Sequence, residues 1–206
     1  MVSLVQKWRS RKQLSHKIFD SLFSNQYPTD ELVCFDCETT DLNPKKAELL
    51  SIGAVKIKDN QVLASQRLEL FIRPNTLISE KSIKVHQLRH CDLEGGLELE
   101  QAIAIFLKFI GSRPLVGYYL EFDVAMINKY IKQILGFSLP NQCIEVSGLY
   151  YDKKQDVLNP VYVDLRFDAI LADLAIPALG KHDAFNDALM TAMMYVKLKN
   201  QTKIRR

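Results

Sequence analysis

Within ten residues, "VCFDCETTDL" at 33–42 offers two kinds of chemistry. Cys34 and Cys37 form a C-x-x-C pair, a spacing found in zinc sites and cycling dithiols. Asp36 and Glu38 form a D-x-E pair of hard oxygen donors suited to Mg²⁺ or Mn²⁺. An extended backbone separates the two readings. Side chains alternate faces along a strand, so the cysteines point to opposite sides while the acids share one. Two carboxylates on one face repel each other unless cations neutralise them. No second C-x-x-C completes a zinc site, and the cysteines read as small apolar fillers.

Two later segments carry the same kind of residue. In "VGYYLEFDVAMI", Asp123 sits between a strand and a helix start, where by itself it reads as an N-cap. In "GKHDAFNDALMTAMMY", Asp187 lies in an apolar helical pattern with Ala184, Leu189 and Met193, and His182 precedes it by five residues. On one helix these two would diverge by about 140°. They converge only if His182 occupies a loop before the helix, which Gly180 permits and Asp183 would cap. Four carboxylates and a loop histidine, all at element junctions, are the parts of a two-metal centre for phosphodiester hydrolysis. The cations neutralise the acids, activate a water and stabilise the leaving oxygen, and a histidine with an ordinary pKa near 6.5 takes the proton. His86 and His90 have H-x-x-x-H spacing but no evident third ligand, and read as surface or loop-packing residues.

The elements that must position these groups follow from the pattern. "ELVCFDC" reads as a buried strand; 49–58 and 61–72 are apolar, partly alternating runs joined by Asp59-Asn60, a hairpin signal. Helical spacing covers 79–85, 97–110 and 122–135, with a short strand at 114–119 and a possible edge strand at "CIEV". Two closing helices are expected at 164–174 and 184–199. This order predicts an α/β domain with a mixed sheet covered by helices, its site where strands end.

The 206-residue length fits one domain with an appendage, and 48% apolar with 25% charged residues is ordinary for a globular protein. There is no apolar run of membrane-spanning length and no secretory leader, so a cytoplasmic setting is expected. Lys7, Arg9, Arg11, Lys12 and Lys17 give residues 1–17 a charge of +5, leaving −2 for the other 189 residues by subtraction from the net +3. Such an arm attracts phosphates or forms a solvated helix face.

The three motifs together, "FDCETTDLNP", "GYYLEFDVAMI" and "HDAFNDALMTA", resemble those of the DEDDh 3′–5′ exonucleases, in particular the epsilon-type proofreading exonucleases of bacterial replicative polymerases. "VHQLRHCDLEG" is similar to the family's histidine-containing loop. The resemblance runs from about residue 30 to 200, leaving a basic helical arm at 1–29 and a basic tail at 201–206. It implies a ribonuclease H-like fold whose first three strands are antiparallel. It also implies that Asp36, Glu38 and Asp187 bind one Mg²⁺, with Mn²⁺ able to substitute. Asp36 would bridge to a second ion that Asp123 helps to anchor, and His182 would be the general base. Thr39, Thr40 and Leu42 match the turn that holds the terminal nucleotide, Leu42 as a wedge between bases. Two positions depart from the family: Asp41 replaces a glycine, and Tyr118-Tyr119 replace His-Asn. The implied activity is release of nucleoside 5′-monophosphates from single-stranded or frayed DNA 3′ ends, with a DNA polymerase subunit as a possible partner. An exoribonuclease or a non-catalytic nucleic-acid-binding module are the alternatives.

Overall fold

The computed structural model describes residues 20, 22, 23, 30–158, 162–180 and 182–203. The basic stretch of the N-terminal arm and the last three residues lie outside these. At the end of the arm Asp20, Leu22 and Phe23 are helical, with Leu22 buried and the Phe23 ring 5.7 Å from that of Phe137.

Three strands come first: β1 (Glu31–Thr39), β2 (Leu49–Lys58) and β3 (Gln61–Phe71). They pair antiparallel, and Asp59 and Asn60 both take left-handed backbone (φ 50° and 59°) in the two-residue turn that pairs Lys58 with Gln61. The helices α1 (Glu80–His86), α2 (His90–Leu93) and α3 (Leu99–Ile110) lead to β4 (Leu115–Gly117) and α4 (Leu120–Leu135). β5 (Cys143–Glu145) then precedes α5 (Val146–Leu158), α6 (Phe167–Asp173) and α7 (Ala184–Lys203). The sheet order is β3-β2-β1-β4-β5, with β1, β4 and β5 parallel. The mixed sheet with three leading antiparallel strands is thus as expected, and β5 does lie at the edge.

Alternation along β1 divides the core. Val33, Phe35 and Cys37 pack on one side with Ile103 and Phe106 of α3 and Ile127 of α4. Cys34 packs on the other with Met190, Met194 and Leu198 of α7. Fully burying one such side chain contributes about 1.5–3 kcal/mol. The two cysteines are buried on opposite faces, and no disulfide joins them. From Ala184 to Leu198 α7 is mostly buried because it crosses the sheet, contacting β1, β2, β3 and β4.

Several boundaries differ from expectation. α5 was not anticipated: "VSGLYYDKKQDVL" has no apolar stripe, and only a few of residues 146–155, such as Val146 and Tyr150, reach the core. α2 is a turn of helix where a loop was expected, closed by Asp92, which accepts hydrogen bonds from the Arg89 backbone and side chain. α3 and α6 start two and three residues later than the pattern suggested, at Leu99 and Phe167. α7 continues past residue 199 into the expected tail.

Candidate active site

The site forms where β1 outruns its parallel neighbour. β4 pairs with β1 only at Val33 and Cys34, so β1 beyond Cys34 has an open flank at the carboxyl ends of the parallel strands. Asp36 and Glu38 share the face of β1 that α7 covers, and α7 brings Asp187 to them in its first turn. α4 lies on the other face, yet Asp123 reaches into the open flank. Its carboxylate accepts hydrogen bonds from the backbone and thiol of Cys37.

The approach of α7 depends on a glycine. Gly53 pairs with Asp36, and a Cβ there would lie 2.2 Å from the Ala184 carbonyl carbon and the Phe185 nitrogen. Only a residue without a side chain lets the start of α7 rest on the sheet at this level. Asp183 caps α7, its Oδ1 accepting from the Asn186 N–H at 2.9 Å. His182, just before, takes the left-handed conformation (φ 57°) and donates its backbone N–H to Asp187 Oδ2 at 3.3 Å. The loop therefore turns at His182 itself; Gly180, expected to supply that freedom, has no positive φ. One donor atom each of Glu38, His182 and Asp187 lie within 4.8 Å of one another.

Asp123 was read by itself as a helix cap, and the structure corrects this. α4 begins three residues earlier, at Leu120. Its N-terminus is closed by Glu145 of β5, whose carboxylate accepts from the N–H groups of Tyr119 (3.2 Å) and Leu120 (2.9 Å). That leaves the Asp123 carboxylate for the site. Gly53 and Glu145 both position site residues. Neither was identifiable from the sequence, because each acts on an element distant in the chain.

The acids are poorly matched to their surroundings. Burial, followed by the charges of Asp123, Glu38 and Asp187, pushes Asp36 well above the usual carboxylate range. Burial, then Asp187 and Asp183, pushes Glu38 up to about 8. Burial also raises Asp123, against the opposing hydrogen bonds from Cys37. No ion pair among the described residues involves Asp36, Glu38 or Asp123. Converging carboxylates, buried at Glu38 and Asp123 and half-buried at Asp36 and Asp187, make a site suited to divalent cations.

The acids and His182 line a cleft of about 560 Å³, with Thr39, Thr40, Leu42, Lys81 and Tyr119 among its other walls. A register shift after Glu38 ends β1. The turn that follows is self-bonded: Thr39 Oγ1 donates to the Asp41 carbonyl at 2.9 Å, and Thr40 Oγ1 accepts from Glu48 N–H at 2.9 Å. Asp41 is not left-handed here; its Oδ1 accepts from Asn43 N–H at 2.7 Å, so the turn forms without the conformation that would have called for glycine. Leu42 at its tip is 86% exposed.

His86 and His90 fall on different helices, separated by the left-handed Gln87. His86 is buried, with Nδ1 accepting from Leu88 N–H at 3.0 Å. Nε2 therefore carries the proton and donates to Ser82 Oγ at 2.8 Å, and Ser82 donates to the Thr39 carbonyl at 3.3 Å. This chain ties α1 to the end of β1 and makes His86 a packing residue of the cleft wall.

Residues 33–195 match the RNase T exonuclease family. The chain belongs to that family. Among its relatives is the DNA polymerase III subunit epsilon of Aquifex aeolicus, 26% identical over 89% of this exonuclease-family chain and 85% of the relative. The PolC-type DNA polymerase III of Thermotoga petrophila is 27% identical over 90% of the chain, which spans only 13% of that much longer protein. Two solved structures share the fold: Escherichia coli exonuclease I in complex with a dA16 oligonucleotide, and exonuclease X in complex with 5′ overhanging duplex DNA. The first has TM-score 0.70 and 14% identity, over 85% of this chain and 42% of the other. The second has TM-score 0.63 and 19% identity, over 84% and 93%.

Proposed function

We propose that this exonuclease-family chain removes nucleotides one at a time from the 3′ end of single-stranded or frayed DNA, releasing nucleoside 5′-monophosphates. The observation that carries the proposal is the convergence of Asp36, Glu38, Asp123 and Asp187 with His182 in one cleft, with no cation partner described for Asp36, Glu38 or Asp123. Asp36, Glu38 and Asp187 would hold one Mg²⁺, and Asp36 and Asp123 a second. Bound there, the ions neutralise the carboxylates and offset the charge that builds on the phosphate in the transition state. His182 accepts the proton of the attacking water at its imidazole nitrogen, and its place on an exposed loop lets it pass that proton to solvent. Thr39, Thr40 and Leu42 form the wall against which the terminal nucleotide rests.

DNA is favoured over RNA because the similar proteins include DNA polymerase III subunits and exonucleases solved with DNA. The same kinship fits a role in proofreading or repair, with a DNA polymerase subunit as partner. Co-elution of the two on mixing tests that pairing, and separate elution would remove it. No helix among the described residues is long and apolar enough to cross a membrane.

Digestion of 5′-labelled single-stranded DNA and RNA with Mg²⁺, Mn²⁺ or EDTA tests the activity. A metal-dependent ladder that shortens from the 3′ end, faster on DNA, is expected. Absence of a ladder on both polymers with either metal would favour a non-catalytic binding module; a faster RNA ladder would make the chain an exoribonuclease.

A further inference from the structure

Tyr118 and Tyr119, adjacent in sequence, have opposite fates. Tyr118 is used by the fold: its hydroxyl donates to the Leu165 carbonyl at 2.9 Å, and its ring meets Phe167 edge-on at 5.0 Å. Tyr119 is 68% exposed within the cleft that holds the acids. Its backbone is left-handed (φ 56°, ψ 34°), a conformation uncommon outside glycine, asparagine and aspartate. The Glu145 carboxylate holds it there through the N–H groups of Tyr119 and Leu120. The ring lies nearly parallel to that of Phe122, 13° between planes and 6.3 Å between centroids. A large aromatic surface held in water by a strained, braced backbone is not accounted for by core packing.

Other walls of the cleft have the same character. Leu42 is 86% and Val85 47% exposed, so apolar side chains stand in the cleft beside its acidic floor. A nucleotide has matching halves: a phosphate for cations on the floor, and a flat apolar base for the side chains beside it. Base–aromatic stacking is tolerant of sequence, because every base presents a π-face.

We infer that Tyr119, extended by Phe122, is the stacking surface for the nucleobase at the 3′ end. The inference rests on the exonuclease reading above.

Steady-state kinetics on two 5′-labelled single strands test this, one with an ordinary 3′-terminal nucleotide and one whose terminal nucleotide lacks its base. Tyr119→Asn removes the ring but suits a left-handed backbone, and Tyr119→Phe keeps the ring. On the ordinary end, Tyr119→Asn should raise KM about tenfold. Its kcat should stay within about twofold, and Tyr119→Phe should match wild type. On the baseless end, wild type and Tyr119→Asn should have the same KM. Equal KM values for wild type and Tyr119→Asn on the ordinary end would overturn the inference. So would a fall in kcat alone on both substrates, which would make Tyr119 part of the α4 brace. A wild type that digests neither strand would sink the exonuclease reading itself, and this inference with it.

Discussion

Asp36 and Glu38 owe their shared position to the two-residue period of an extended strand, and the same period sends Cys34 and Cys37 to opposite faces. That much was legible in ten residues. The thiol of Cys37 is nevertheless more than filler, because it donates to Asp123. This could not be foreseen while Asp123 was placed at the helix start. His182 was legible only as a condition, a loop residue that must turn back toward Asp187. The turn is made by its own left-handed backbone and by its N–H bond to Asp187 Oδ2. If His182 is the base, His182→Ala lowers kcat by about 10²–10⁴-fold. KM for single-stranded DNA should barely change, since the loop's backbone contact survives. A loss smaller than about tenfold at neutral pH would give the proton to another acceptor.

Long, strongly patterned elements were legible: the hairpin of β2 and β3, α3, α4 and α7 all lie close to where apolar period placed them. α5 was not, because few of residues 146–155 touch the core and its sequence carries no stripe. The contacts that set one element against another were also invisible. Gly53 carries no local signal, yet its missing side chain sets the height of α7 over β1 and thereby the distance from Asp187 to Asp36. Gly53→Ala must push that helix start away, because the added carbon meets backbone rather than a flexible side-chain tip. Overpacking of this kind costs about 1–3 kcal/mol. The variant should melt several degrees lower and lose activity even at temperatures where circular dichroism shows it folded. Wild-type activity in a folded Gly53→Ala would show that α7 can shift without harm to the site.

For the whole molecule, the site is a standing electrostatic cost that bound cations would relieve. Burial and its acidic neighbours raise Glu38 from an ordinary 4.5 to about 8 in the folded, cation-free chain. Folding then favours its protonated form: this contribution is fully present below about pH 4.5 and is lost as pH rises through about 8. Asp36 and Asp123 shift in the same direction. Thermal melting in EDTA should therefore give a lower Tm near pH 8 than near pH 5. Mg²⁺ should raise Tm more at the higher pH, where the carboxylates are charged and cations bind folded chain best. A cation-free Tm that climbs over that interval would mean that groups elsewhere dominate. Anomalous diffraction from crystals grown with Mn²⁺ and a nucleoside 5′-monophosphate would decide whether Asp36, Glu38, Asp123, Asp187 and His182 form one two-ion centre. Two Mn²⁺ peaks sharing Asp36 are expected, one also held by Glu38 and Asp187, with the phosphate against both and His182 facing it. A single ion away from Asp36, or ions bound with Asp123 remote from them, would contradict that arrangement.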